Sequence, residues 1–292
     1  MRVPTNGIEI DVEQEGRGEP VLLIMGVGAQ LVHWPDGFCA ALTARGFRVI
    51  RFDHRDIGRS TWFTHAPIPD VRRMLLRRLV GAPIRVPYTL EDMSDDVAGI
   101  LDALDLPRAH IVGASMGGMI AQTLAIRHPT RVQTLTSIMS TPGARRFVFG
   151  SKPRAIRALL SGPPRTRAEA GERVAEVFRV IGSPGFERDE NIMRDLGHRS
   201  FDRGLNAPGF ARHFGAILAA SDRTEALRSV RVPSLVIHGT DDPLIPVAAG
   251  RATARAIPQA RLLEINGMGH DLPHALWPVL GDAIASIART QA

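Results

Sequence analysis

The chain has 292 residues, 44% hydrophobic and 23% charged, the size and balance of a soluble globular protein built as one large α/β domain or a domain with an insertion. No stretch approaches the length of a membrane span, the first ten residues lack the apolar run of a signal peptide, and a single cysteine, Cys39, excludes an internal disulfide; a cytoplasmic protein with a buried structural thiol is expected. The formal charge of +6 is uneven, with fourteen arginines and Lys152 against ten acids in residues 143–225 and five arginines against Asp70 in residues 60–90, but no nucleic-acid motif or row of stacking aromatics accompanies it.

Ile8 to Val12 alternates apolar and polar residues and predicts a half-buried antiparallel strand, and Gly16 to Pro20 predicts a turn. Val21 to Ile24 is wholly apolar, as a central strand requires, and ends in the loop Met25-Gly26-Val27-Gly28, whose backbone N–H groups can face a ligand. A helix is expected from Pro35 to Arg45 and a strand from Phe47 to Phe52. The polar turn that follows, Asp53 to Ser60, contains His54, which reads as a pocket-lining candidate or as a structural hydrogen-bonding residue. Val71 to Val80 is a basic amphipathic stretch that reads as a solvated helix face beside the active site rather than a nucleic-acid or membrane surface. Thr89 to Asp92 has the pattern of a capping box opening a helix through Leu104.

The next segment carries the chemistry. His110 to Val112 reads as a buried strand, Met119 to Ala125 as a helix that stops before Pro129, and between them lies Gly113-Ala114-Ser115-Met116-Gly117, a match to G-x-S-x-G. A strand turning sharply into a helix crowds its own backbone, so residues without a Cβ are required on either side of the turn, and its tip presents Ser115 at the helix N-terminus, where N–H groups and the dipole favour an oxyanion.

Val132 to Ile138 is another strand. From Pro142 the pattern changes: residues 143 to about 225 show no strand, only helical patterns broken by Gly and Pro, including a capping box at Thr166 to Glu169 and an apolar face of Phe210, Phe214, Ile217 and Leu218. Seven of the eleven phenylalanines (147, 149, 178, 186, 201, 210, 214) fall there, more aromatic surface than a helical insertion can bury alone, so some are expected to pack on the main domain and some to roof a pocket. Strand–helix alternation then returns, with strands at Pro233 to His238 and Ala260 to Ile265, a helix from Val247 to Ile257, and a closing helix through Leu276, Leu280 and Ile287.

A serine hydroxyl needs a base, and the base a partner that fixes its tautomer. In a mostly parallel sheet ligands bind beyond the carboxyl ends of the strands, so polar residues just after strands are the candidates: Ser115, Asp241 or Asp242, and His270. His270 and His274 have H-x-x-x-H spacing, but no third ligand is evident and no metal is expected.

The order Ser, Asp, His, each after its own strand, resembles the α/β-hydrolase family over the whole chain. The resemblance implies a doubly wound, mostly parallel sheet of about eight strands, with core residues 1–142 and 226–292 and an inserted α-helical cap at 143–225. It selects Asp242 over Asp241 as the acid and His270 as the base, and it makes the N–H groups of Val27 and Met116 the oxyanion hole. Met25 stands where most relatives have His, a departure that leaves the backbone donor in place. Trp34-Pro-Asp36, Phe52-Asp-His-Arg-Asp56, Gly58-Arg-Ser60 and Gly267-Met-Gly-His270 further resemble the polyketide-tailoring esterases of the aclacinomycin methylesterase group.

The function expected is therefore cofactor-free hydrolysis of a small or mid-sized apolar or aromatic ester, with no nucleic-acid partner. Gly28, His54, Phe178, Phe210 and Phe214 are the substrate-binding candidates. The alternatives are perhydrolysis or carbon–carbon hydrolysis on the same triad, or a non-catalytic binding protein on the same fold.

Overall fold

Alternation within the strands decides which helices cover which face of the sheet. In β3 (Glu19–Ile24) Leu22 and Ile24 face one layer and Val21 and Leu23 the other; β4 (Phe47–Phe52) divides the same way, Ile50 and Phe52 against Phe47 and Val49. The chain, seen as a computed structural model describing residues 1–148 and 150–291, buries both faces of one eight-stranded sheet. Phe149 lies outside the described residues. The sheet order is β1 (Arg2–Thr5), β2 (Ile8–Gly16), β4, β3, β5 (Ala109–Ala114), β6 (Val132–Ile138), β7 (Ser234–Gly239), β8 (Arg261–Ile265). Only β1 with β2 and β2 with β4 pair antiparallel; every other pair is parallel.

Helices α1 (Asp36–Thr43) and α11 (Trp277–Ala288) cover one face through Phe38, Leu42, Leu280 and Ile284. Helices α3 (Leu90–Ala103) and α4 (Met116–Arg127) cover the other through Val97, Ile100, Ile120 and Leu124. This is the doubly wound architecture, with the strands' carboxyl ends converging on one edge.

Several details differ from expectation. Strand β1, four residues including Pro4, was invisible to periodicity because it alternates over only two buried positions, Val3 and Thr5. Strand β2 runs on to Gly16 and β3 starts at Glu19, so the turn expected over five residues shrinks to Arg17-Gly18. The capping box at Thr89 closes both ways, Asp92 N–H on Thr89 Oγ1 and Thr89 N–H on Asp92 Oδ2. At Thr166 only half forms: Thr166 Oγ1 accepts from Glu169 N–H, but the Glu169 carboxylate takes the Arg165 N–H instead.

Between β6 and β7 lie α5 (Arg145–Val148), α6 (Pro153–Leu159), α7 (Arg167–Ile181), α8 (Glu190–Asp202) and α9 (Ala207–Ala219), with no strand among the described residues. The basic stretch is α2 (Val71–Val80), capped by Asp70 and closed by Gly81 at φ 74°. Its Met74 packs with Phe214 and Leu218 of α9. Helix α10 (Val247–Ala256) joins β7 to β8. No described helix is long and apolar enough to cross a membrane.

Cys39 is fully buried on α1, and burial pushes its thiol up to about 12. A thiol with so little thiolate at neutral pH, and no access, is unreactive. Native protein is expected to give no titratable thiol with an aromatic disulfide reagent, and urea-unfolded protein one equivalent; rapid reaction of the native protein would contradict the burial.

Candidate active site

The turn after β5 is built as its glycines require. A Cβ on Gly113 would stand 2.1 Å from Gly117 O, and one on Gly117 would stand 1.9 Å from Ile24 O, both backbone atoms that cannot give way. Between them Ser115 is held at φ 58° and ψ −119°, a strained conformation that persists only where its surroundings fix it. They do: Ser115 N–H donates to Ile138 O at 2.9 Å, and Ser115 O accepts from the Ser140 hydroxyl at 2.7 Å.

The structure brings three of the expected residues into one hydrogen-bonded series. Ser115 Oγ lies 2.9 Å from His270 Nε2, and His270 Nδ1 lies 2.7 Å from Asp242 Oδ2. Nδ1–H facing a carboxylate leaves Nε2 as the acceptor for the serine proton. The Asp242 carboxylate is buried, and its Oδ1 accepts from Leu244 N–H at 2.8 Å and Ile245 N–H at 2.9 Å. Asp241, the other candidate acid, turns away and accepts from Thr240 Oγ1 and Gly267 N–H, bracing the loop that carries His270.

That loop is also gripped from the end of α7 and the residues just after it. His270 N–H donates to Ile181 O at 2.8 Å, Gly269 N–H donates to Ser183 Oγ at 2.8 Å, and Gly185 N–H donates to Gly267 O at 2.9 Å. Ser183 in turn donates to Asp271, whose carboxyl burial pushes above the usual carboxylate range. On the other side of Asp242, the buried His238 donates through Nε2 to Ile245 O at 2.9 Å and lies 3.6 Å from Asp242 Oδ2; burial lowers its pKa and keeps it neutral. No periodic or motif signal marked Ser140, Ser183 or His238, because each acts through individual hydrogen bonds that leave no pattern in the sequence.

Val27 and Met116 stand where the β3 loop meets the start of α4. A Cβ on Gly26 would be 3.3 Å from Ser115 Cβ, so that loop lies directly against the serine. Neither the Val27 nor the Met116 N–H donates to another described residue.

Above Ser115 and His270 opens a cavity of about 1590 Å³. Gly28, Phe178, Phe210 and Phe214 line it, as do Val71, Leu75 and Arg78 of α2, so the basic helix forms one wall. His54 does not line it, contrary to its expected candidacy: the ring is 2% exposed, donates through Nε2 to Met25 O at 2.9 Å, and packs edge-on against Phe52 and His213. His274 lies on the cavity wall, its ring edge-on to Trp277 at 4.6 Å. No cluster of three or more potential metal ligands occurs among the described residues.

The family model described as alpha/beta hydrolase fold matches residues 19–178, and one described as TAP-like protein matches residues 218–275. The chain is 32% identical to a rhodomycin D methylesterase of Streptomyces peucetius over 99% of this chain and 98% of the relative. It is 29% identical to a putative non-heme bromoperoxidase of Mycobacterium tuberculosis over 90% of this chain and 91% of the relative. Among solved structures it is similar to the enol-lactonase of Burkholderia xenovorans (25% identity, TM-score 0.72, 99% of this chain and 100% of that one). A meta-cleavage product hydrolase of Pseudomonas fluorescens, at 20% identity and TM-score 0.75 over 100% of this chain and 98% of that one, shares the fold.

Proposed function

The chain belongs to the α/β-hydrolase-fold family, and from that premise we propose that it is a serine carboxylic-ester hydrolase. The single observation that carries the reading is the unbroken series Ser115 Oγ, His270 Nε2, His270 Nδ1, Asp242 Oδ2 at 2.9 and 2.7 Å. Ser115 attacks the ester carbonyl as His270 takes its proton. Asp242 keeps the imidazole in the Nδ1–H tautomer and stabilises its cationic form. The N–H groups of Val27 and Met116 bind the developing oxyanion, a contribution of about 10²–10³ in rate per donor. The imidazolium then protonates the departing alkoxide, and water activated by the same His270 releases the acid.

The substrate we propose is a methyl ester of a bulky, largely apolar acid. Two supports exist: the near-full-length similarity to rhodomycin D methylesterases, and a cavity of about 1590 Å³, above the roughly 300–1,000 Å³ of an ordinary small-molecule site. That volume favours a larger acid than the small or mid-sized ester anticipated from sequence. Residues 143–225 serve as the cap over it, with residues 1–142 and 226–292 as the catalytic core. The reaction needs no cofactor and no nucleic-acid partner, and the one cysteine suits a cytoplasmic enzyme.

Initial rates on methyl esters of acids from acetate to fused-ring aromatics test this. The expected result is a kcat/KM rising by at least about tenfold with ring count, since each added apolar group in the cavity contributes on the order of 1 kcal/mol or more. A flat series overturns the substrate reading. Negligible hydrolysis of every ester, beside rapid peroxide-dependent perhydrolysis of acetate, overturns the reaction class.

A further inference from the structure

Helix α9 grips the residue after Val27 from two sides. Its His213 accepts the Gly28 N–H through Nδ1 at 3.2 Å, and its Phe210 ring lies so close that a Cβ on Gly28 would stand 2.3 Å from Phe210 Cδ2. His213 Nε2–H donates to Arg55 O at 2.8 Å, which fixes the tautomer and leaves Nδ1 as the acceptor. The ring is fully buried; burial, with His54 beside it, pushes its pKa down to about 3, so it stays a neutral acceptor at any working pH. From the other flank His54 holds Met25 O. The loop Met25 to Gly28 is thus pinned at both ends by buried imidazoles, and Val27 is the residue between.

Helix α9 is itself fixed to the core. A Cβ on Gly209 would stand 2.2 Å from Asp56 O, Asn206 Nδ2 donates to that same carbonyl, and Arg212 pairs with the Asp56 carboxylate. Meanwhile Phe210 and Phe214 form part of the cavity wall. One helix therefore touches the substrate space on one side and the oxyanion loop on the other.

We infer that His213, on a helix of the proposed cap, is a positioning residue for the oxyanion hole. The inference rests on the proposed role of the Val27 N–H. Its signature is a loss weighted to kcat, because a displaced donor weakens the tetrahedral state and leaves the ester's ground-state contacts alone.

The test compares His213→Leu, which removes the acceptor at similar volume, with His213→Gln, which keeps an amide oxygen. For His213→Leu we expect kcat to fall roughly 10- to 100-fold with KM within about twofold. Affinity for a trifluoromethyl ketone that adds to Ser115 should fall in proportion, while affinity for the matching unreactive amide holds and His213→Gln recovers most of both. A folded His213→Leu enzyme with wild-type kcat and trifluoromethyl ketone affinity overturns the inference. If that variant does not fold, His213→Phe, which keeps a ring at the position but offers no acceptor, should show the same kcat-weighted loss; wild-type behaviour there overturns it equally. Fluorophosphonate labelling of the wild-type serine separates the two levels: an unlabelled Ser115 takes down the hydrolase reading, and the inference with it, whereas a labelled enzyme indifferent at His213 takes down the inference alone.

Discussion

Ser115→Ala is expected to reduce kcat for ester hydrolysis on the order of 10⁶-fold, with the residual rate coming from the oxyanion donors and substrate binding. The change removes one oxygen and little else. Ser115 makes its structural bonds through backbone atoms, N–H to Ile138 O and O from Ser140 and Gly118, so folding should survive and KM should change little. Alanine at φ 58° carries about the same strain as serine, and the melting temperature should stay near wild type.

His270→Ala should cost a comparable factor, because a serine hydroxyl without its base is not a nucleophile at neutral pH. The double variant Ser115→Ala with His270→Ala should be no worse than either alone, since the two act as one unit. Rates are read with an activated ester and with a methyl ester, against rigorous exclusion of host esterases. A Ser115→Ala protein that keeps more than about one hundredth of wild-type kcat, or singles whose losses multiply in the double, would show that the 2.9 Å contact is not used in this way.

How much of this could be read from residues alone depends on what each residue does. Strands β4 and β6 run from Phe47 to Phe52 and from Val132 to Ile138, the bounds expected, each opened and closed by an apolar residue; Val21 to Ile24 of β3, buried on both faces, is apolar throughout. Ser115, His270 and the pair Asp241 and Asp242 were legible as candidates for a topological reason, since parallel strands deliver their following residues to one edge; the choice of Asp242 over Asp241 came from the family resemblance and not from topology. Helix α8 was not singled out: its apolar residues Ile192, Met193, Leu196 and Phe201 stand at helical spacing but are exposed or half-buried, and the residues it buries, Gly197 and Ser200, carry no apolar signal. His54 was left open between pocket-lining and structural roles because a histidine in a turn carries no mark of which way its ring points; here the ring goes under the loop it supports, the structural role.

Charge misled in a similar way. An arginine count for residues 143–225 treats all fourteen alike, yet they divide into kinds that only three dimensions distinguish. Arg167 and Arg179 pair in solvent, Arg203 is 8% exposed at its side chain and reaches Asp11 and Asp53, and Arg212 is almost completely buried. Exposed pairs of the first kind contribute little, because solvent and salt screen them. The buried pairs stitch the helices between β6 and β7 to the turn after β4, and there a single change has large consequences.

Arg212→Met is accordingly expected to destabilise the protein by about 3–5 kcal/mol. Arg212 and Asp56 are 2% and 0% exposed, with Nη1 3.2 Å from Asp56 Oδ2, and Nη2 donates to Phe63 O at 2.8 Å and Ala66 O at 3.3 Å. Removing the guanidinium strands a buried carboxylate. Its remaining partners, Tyr88 OH at 2.9 Å, Phe63 N–H at 2.7 Å and Asn206 Nδ2 at 3.3 Å, are all neutral. The Phe63 and Ala66 carbonyls lose their donor as well. In a chain of this size the loss corresponds to a melting temperature lower by roughly 6–20 °C. Asp56→Asn should recover part of it in the double variant, because an amide needs no counter-charge and Asn tolerates the φ of 67° at that position. Urea unfolding of the wild type, both singles and the double gives the coupling directly. A loss below about 1 kcal/mol in Arg212→Met would mean that water reaches Asp56 when the guanidinium leaves, and that α9 is held to the core by packing at Gly209 rather than by charge.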